Sequence, residues 1–369
     1  MIKLEKAIAL RSDSSRHGHL LSSLMLLEAL ITLLLGGLAF RWGMRLGQVL
    51  LKKGATANDL FKGNPALSLL FLGIYIALLV LALNVPQMQV LPLEWRLYGM
   101  QVTWTVMRVL LLGFCGLAFI VSWRTARSQV AAIVLLGVLG VAGFSAAEGY
   151  FLAPIHTELH NNLQPNGVFK QTSMSSCAPA AMATVLRRWG LEATESSVAK
   201  LAGTSRLGTS MPQLIVGVRE LGMDGVELSP RWEQMQQLNR PGVLGVWLID
   251  GPRMLPHAVA LLEMTDDRVT IGDSASGKIF VLNRTQFARI WRHQYVPVFR
   301  ADEATLTPQQ AADYLTRSGY LDAPTRDFKP ALRRFQYNMN LPETGELDTQ
   351  TALLLSGPFL QQVPTLRPV

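Results

Sequence analysis

Long apolar runs fill the first 150 residues, and a mixed pattern of apolar and polar positions begins only after them. An α-helix rises about 1.5 Å per residue, so about 20 apolar residues cross the hydrocarbon core of a bilayer. Four segments reach this length: 20–40, 66–85, 103–123 and 129–150. The pattern therefore predicts an N-terminal α-helical membrane bundle over 20–153, preceded by a tail at 1–19.

The middle of the chain, 160–300, has the pattern of an α+β domain. Apolar residues at helical spacing predict a helix over 178–189, which Gly190 ends. Aliphatic runs predict strands at 243–249, 257–262 and 268–271. A helix followed by several strands is typical of an α+β fold.

The segment 302–358 has the pattern of a small helical module. Thr307 and Pro308 predict the start of one helix, 328–339 forms a second, and Asp348 is a suitable N-cap for a third over 349–355. The chain is therefore predicted to be multi-domain: a membrane bundle, an α+β domain and a three-helix module.

The distribution of charge predicts how the chain is oriented in the membrane. The net charge is +8, but no long basic run with interleaved aromatic residues occurs, so we expect no nucleic-acid partner. The loops after the first and third spans carry more Lys and Arg than the opposite side, which favours termini outside the cytoplasm. We expect a multi-pass protein of the inner (cytoplasmic) membrane, with its later domains periplasmic or extracellular.

Within the bundle, we expect Glu28 and Arg108 to form an ion pair, because an unpaired charge in lipid is costly.

Four polar residues in the middle domain have the order needed for thiol chemistry. Cys177 precedes the predicted helix, whose N-terminus favours a thiolate. His257 would hold the proton and pass it to the leaving amine, and Asp273 would fix the imidazole tautomer. Gln171 would donate an amide N–H to the developing oxyanion. We expect no cofactor and no metal, because no cluster with metal-ligand spacing stands out.

Each of these residues also has an ordinary structural interpretation. A lone Cys is most often a small buried hydrophobe, a His on an apolar strand is often structural, and an Asp before Ser and Gly often forms a turn. Taken singly, the structural interpretations are stronger. The catalytic hypothesis rests on the order and local context of Gln171, Cys177, His257 and Asp273 together.

The local sequences around these residues resemble a known family. Gln171-x5-Cys177-Ala-Pro179-Ala-Ala is similar to the nucleophile motif of the bacteriocin-leader-processing (double-glycine) cysteine peptidases, and Pro256-His257-Ala-Val and Ile271-Gly-Asp273 to their His and Asp motifs. The resemblance implies a papain-like fold with Cys177 as nucleophile, His257 as base, Asp273 as orienter and Gln171 in the oxyanion hole. Ala178 stands where the family usually has Gly, and Ser274 where it usually has Pro.

The C-terminal segment resembles the peptidoglycan-binding three-helix module. The matching sequences are Leu315-x3-Gly319-Tyr320, Ala331-Leu-x2-Phe335-Gln336 and Leu341-x3-Gly345-x-Leu347-Asp348. The resemblance implies peptidoglycan as a partner in the bacterial cell envelope, but the same fold also serves as a protein-docking or structural unit.

The sequence favours a membrane-anchored cysteine peptidase that cleaves an exported protein or a cell-wall peptide through an acyl-enzyme on Cys177. Its partners would be the peptide or protein substrate, the lipid bilayer and peptidoglycan. One alternative is a cytosolic double-glycine leader peptidase acting with a separate transporter. Another is a non-catalytic peptide- or wall-binding protein with a peptidase-like fold.

Overall fold

The computed structural model describes residues 30–57, 65–85, 88 and 91–367. The chain divides into two compact units, Met1–Tyr150 and Phe151–Val369. The predicted tail at 1–19, the first ten residues of the first predicted span and Glu28 lie outside the described residues.

The described residues of the first unit form four long helices, the last of which ends one residue past the unit: α1 (Leu30–Lys52), α2 (Pro65–Asn84), α3 (Leu93–Thr125) and α4 (Val130–Phe151). Among the described residues, three helical stretches are long and apolar enough to cross a membrane: Leu30–Lys52, Gln101–Thr125 and Arg127–Phe151. The second predicted span coincides with α2, whose side chains are described only in part, so it stays a prediction.

The first helix extends well beyond the predicted end of its span. The sequence analysis placed a loop after Phe40, but α1 continues to Lys52. Glycines in this extension allow close packing against α3: a Cβ on Gly43 would lie 1.9 Å from the Gly113 carbonyl oxygen. Small residues that let two backbones approach closely are typical of helix pairs in membranes. These glycines therefore serve helix packing and do not end the helix.

Arg108, in the middle of α3, has a partner in α4. Arg108 Nη2 lies 2.7 Å from Glu148 Oε2, and both side chains are largely buried. The partner predicted from the sequence was Glu28, which lies outside the described residues, and Glu148 was not considered. The pairing with Glu148 follows the same physical rule, since charges among apolar helices are stabilised by opposite charges.

An antiparallel sheet of six strands forms the centre of the second unit, in the order β3-β8-β4-β5-β6-β7. The strands are β3 (Met223–Gly225), β4 (Gly242–Asp250), β5 (Arg253–Met264), β6 (Arg268–Asp273), β7 (Lys278–Asn283) and β8 (Trp291–Arg300). A separate pair joins β1 (Asn162–Leu163) to β2 (Phe169–Lys170). The strands predicted at 243–249, 257–262 and 268–271 are confirmed as the cores of β4, β5 and β6.

Helices cover both faces of this sheet. They are α5 (Cys177–Arg188), α6 (Glu195–Leu201), α7 (Met211–Arg219), α8 (Trp232–Leu238) and α9 (Arg284–Ile290). On one face, α5 buries Val185 in a cluster with Ala260 and Val298. Alternate residues of the same strands, such as Leu261 and Phe299, point to the opposite face and pack in a cluster with α8 and α9.

Three further helices follow the sheet: α10 (Pro308–Arg317), α11 (Lys329–Asn338) and α12 (Thr349–Ser356). Thr307 and Asp348 cap the first and third, as the sequence predicted. Leu315 and Leu354 belong to the same buried cluster as Phe299 of the sheet. The C-terminal helices and the second face of the sheet therefore share one hydrophobic core.

Candidate active site

Cys177 is the first residue of α5. Residues 178–186 of this helix are all buried, which follows from its Ala-rich sequence and fixes the helix against the sheet. The Cys177 thiol itself is only half-buried and forms no disulfide. The first N–H groups of a helix have no partner within the helix, so this position favours negative charge on sulfur.

His257 and Asp273 meet across two neighbouring strands. The register pairs Val259 of β5 with Asp273 of β6, which places the carboxylate diagonally opposite His257. The imidazole Nε2 lies 2.7 Å from Asp273 Oδ1. Asp273 also accepts hydrogen bonds from the Ala275 N–H and from the Ser276 N–H and hydroxyl. The carboxylate is therefore held in place from two sides.

These contacts change the pKa values of both groups. Burial lowers the pKa of His257, but its hydrogen bonds to Asp273 and Cys177 outweigh this effect and raise the pKa to about 9. Burial raises the pKa of Asp273, but the hydrogen bonds from His257 and Ser276 outweigh it and lower the pKa to about 2. At neutral pH these shifts favour an imidazolium at His257 that is paired with the Asp273 carboxylate.

Gln171 lies beside this group on the strand-to-helix loop. Its backbone N–H donates to the Ser274 carbonyl at 2.7 Å, and Ser274 directly follows Asp273. The side-chain Nε2 donates to the Ser173 carbonyl at 2.8 Å, while Oε1 is buried without a hydrogen-bond partner. One amide N–H is thus used within the loop, and the second is left for another acceptor. Its role in an oxyanion hole stays a prediction.

The sequence analysis missed three side chains near this group. Ser276, which donates to Asp273, follows it closely in the chain and was detectable as part of the same turn. Arg292 stacks over the Trp247 ring at 4.6 Å and interacts electrostatically with Cys177. Glu195 is fully buried and hydrogen-bonds the residue after Gln171. The last two come from distant segments, and no local motif marks them.

The arrangement has the components of an acyl-transfer site. A thiol at a helix N-terminus, an imidazole bonded to a carboxylate, and an amide donor can form and resolve a covalent acyl intermediate. Among residues 30–57, 65–85 and 91–367, no group of His, Cys, Asp and Glu side chains could hold a metal ion. These features are the ones that the chemistry of a cysteine hydrolase requires.

Comparison with known proteins identifies the family. Residues 166–303 match the model of the peptidase C39 family. An uncharacterized protein of Methanothermobacter thermautotrophicus is 34% identical over 36% of this chain and 88% of its own length, and one of Methanothermobacter marburgensis is 32% identical over 37% and 90%. The chain therefore belongs to the peptidase C39 family, a family of cysteine peptidases, through this part of its length.

Several solved structures also show similarity at lower identity. The peptidase domain of Streptococcus ComA, a bi-functional ABC transporter in quorum sensing, is 21% identical over 36% of this chain and 96% of its own, with a TM-score of 0.32. A double glycine motif protease from an AMS/PCAT transporter, in complex with the leader peptide, is 18% identical over 36% and 91%, with a TM-score of 0.32. A periplasmic domain of the Vibrio vulnificus EpsAB fusion protein is 13% identical over 55% and 84%, with a TM-score of 0.31. Because these scores are below 0.5, the family assignment rests on the sequence matches.

Proposed function

We propose that this protein is a membrane-anchored cysteine peptidase in which Cys177, His257 and Asp273 form the catalytic triad. The hydrogen bond of 2.7 Å between His257 and Asp273 is the observation that carries the proposal. The half-buried Cys177 thiol interacts with the same imidazole and contributes to the rise of its pKa. The membership of residues 166–303 in a family of cysteine peptidases supports the same conclusion.

In the proposed reaction, the Cys177 sulfur attacks the carbonyl carbon of a peptide bond. The tetrahedral oxyanion accepts hydrogen bonds from Gln171 Nε2 and from backbone N–H groups at the start of α5. His257 donates its proton to the leaving amine, and the acyl group stays on sulfur. His257 then takes a proton from water, which attacks the thioester and releases the acid. Asp273 holds the imidazole through Nε2, so that Nδ1 faces the sulfur.

Replacement of the nucleophile tests this proposal. Cys177→Ala should abolish turnover of a Gly-Gly aminomethylcoumarin peptide and leave the melting temperature of the full chain within about 2 °C of the wild type. Cys115→Ala is a matched control, because Cys115 is the other free thiol and lies in α3. Turnover that persists in Cys177→Ala at the wild-type rate would exclude the thiol mechanism.

The substrate class depends on the side of the membrane that holds the second unit. An exported protein or a cell-wall peptide fits an external location, whereas a double-glycine leader fits the cytosolic alternative. Reporters fused after Val369, one active only outside and one fluorescent only inside, distinguish the two. The proposed affinity of the C-terminal helices for peptidoglycan is tested by co-sedimentation of the full chain with purified peptidoglycan.

A further inference from the structure

A buried carboxylate lies behind the loop that leads to the nucleophile. Glu195 is the first residue of α6, and its side chain is fully removed from solvent. A charge in such a position is stable only when it is well hydrogen-bonded. Thr172 supplies those bonds: its N–H donates to Glu195 Oε1 at 2.8 Å and its hydroxyl to Oε2 at 2.9 Å.

Thr172 is the residue next to Gln171, so this contact fixes the chain directly beside the candidate oxyanion donor. The Thr172 Oγ1 also accepts a hydrogen bond from the His160 N–H at 3.1 Å. On the other side, the Gln171 N–H is held by the Ser274 carbonyl at 2.7 Å. The chain at Gln171 and Thr172 is therefore held by two contacts, one with Ser274 and one with Glu195.

The Gln171 side chain needs such anchoring. Its Oε1 is buried without a hydrogen-bond partner, and a buried unpaired amide oxygen is unfavourable. In this position one N–H of Nε2 donates to the Ser173 carbonyl at 2.8 Å. Loss of the backbone anchor at Thr172 should let the loop move and bring Oε1 to a donor.

We propose that Glu195 is a positioning residue for catalysis, which holds Gln171 in the oxyanion hole through its paired hydrogen bonds to Thr172. This inference rests on the proposed cysteine peptidase function. Glu195 is proposed to affect stabilisation of the oxyanion and not the reactivity of the nucleophile. These two effects can be measured separately.

Two readouts on the full chain distinguish positioning from a general structural role. Alkylation of Cys177 by iodoacetamide passes through no oxyanion, whereas hydrolysis of a Gly-Gly aminomethylcoumarin peptide does. Glu195→Ala should lower kcat by about 10- to 100-fold, with KM and the alkylation rate within twofold of the wild type. Glu195→Gln keeps one strong acceptor and should recover part of kcat. Glu220→Ala, an exposed acid at the end of α7, is the matched control.

Equal losses of kcat and alkylation rate in Glu195→Ala would overturn the proposal, because they would mean that the whole site had collapsed. An unchanged kcat would also overturn it. Amide hydrogen exchange of residues 171–176, measured in the Cys177→Ala protein, tests the contact between Glu195 and Thr172 and does not depend on catalytic activity. Faster exchange there in Glu195→Ala but not in Glu220→Ala supports the anchor, and unchanged exchange overturns it. Failure of Cys177 to react with iodoacetamide in the wild type would instead count against the proposed function alone.

Discussion

Arg240 joins the C-terminal helices to the sheet, and its replacement by Met should destabilise both. Its side chain is fully buried and contacts the end of α8 and α12. Nε lies 3.2 Å from Glu303 Oε2, Nη1 donates to the Leu238 and Leu353 carbonyls at 3.1 and 3.0 Å, and Nη2 donates to Ser356 Oγ at 3.1 Å. Burial lowers the pKa of Arg240, and Glu303 opposes that shift. Every polar group of the guanidinium thus has a partner.

The size of the effect follows from what Arg240→Met leaves behind. Glu303, whose side chain is only 14% exposed, loses its counter-ion. Removing one partner of a buried ion pair costs about 3–5 kcal/mol, against a typical domain stability of about 5–15 kcal/mol. For a unit of about 220 residues, each kcal/mol lowers Tm by about 2–4 °C, so we expect a decrease of about 6–20 °C.

The assay is thermal unfolding of the detergent-solubilised full chain, with amide hydrogen exchange to locate the change. Peptides from β8 and α12 should lose protection together, because they share one core. Arg268→Met is the matched control: its side chain is 65% exposed and pairs with Asp267 at 3.3 Å, so it should cost less than about 1 kcal/mol. A loss no larger than that of the control would refute the reasoning, and so would opening of α12 while β8 stays protected.

Two further predictions concern pH and membrane packing. With the pKa of His257 at about 9, kcat/KM should decrease above about pH 9. Asp273→Asn should shift this decrease to lower pH. A pH–rate profile in which the decrease stays at the same pH would contradict the pairing of His257 with Asp273. Because this pKa exceeds the unfolded value of about 6.5, the His257–Asp273 pair stabilises the fold most below pH 6.5 and loses that contribution as pH rises through 9. In His257→Gln, the melting temperature should depend less on pH over this range. In the first unit, a Cβ at Gly116 would lie 2.2 Å from the Phe40 carbonyl oxygen, so Gly116→Val should cost about 1–3 kcal/mol in detergent unfolding. Gly143, which has open space around its Cβ position, should tolerate Val, and equal effects at both glycines would count against close packing.

Local sequence signals were enough to predict the pieces of the candidate site. The helix that begins at Cys177 follows from apolar spacing and a first-turn proline. His257 and Asp273 meet because β5 and β6 are consecutive strands that are joined by a short turn and pair antiparallel. The structure adds four strand residues before His257, because β5 extends into a long hairpin with β4.

Other parts of the site depend on contacts between distant segments, which a local pattern does not contain. The stretch around Glu195 is rich in Ser and Thr and has no clear apolar periodicity, yet it forms α6, which begins at a capping box between Thr194 and Ser197. Arg240 lies between Asn and Pro, a composition typical of exposed turns. Its burial depends on α12, more than a hundred residues further along the chain.

The shared core also has a consequence for the order of events during synthesis. Leu244, Leu261 and Phe299 are covered by Leu354 and Leu366, which lie near the end of the chain. A nascent chain that has just completed β8 therefore still exposes one apolar face of its sheet. Because domains fold as units once their contacts are available, this face of the sheet can be covered only after Leu354 and Leu366 have been synthesised. The sheet and the helices that follow it are therefore expected to reach their final packing in one step, late in synthesis.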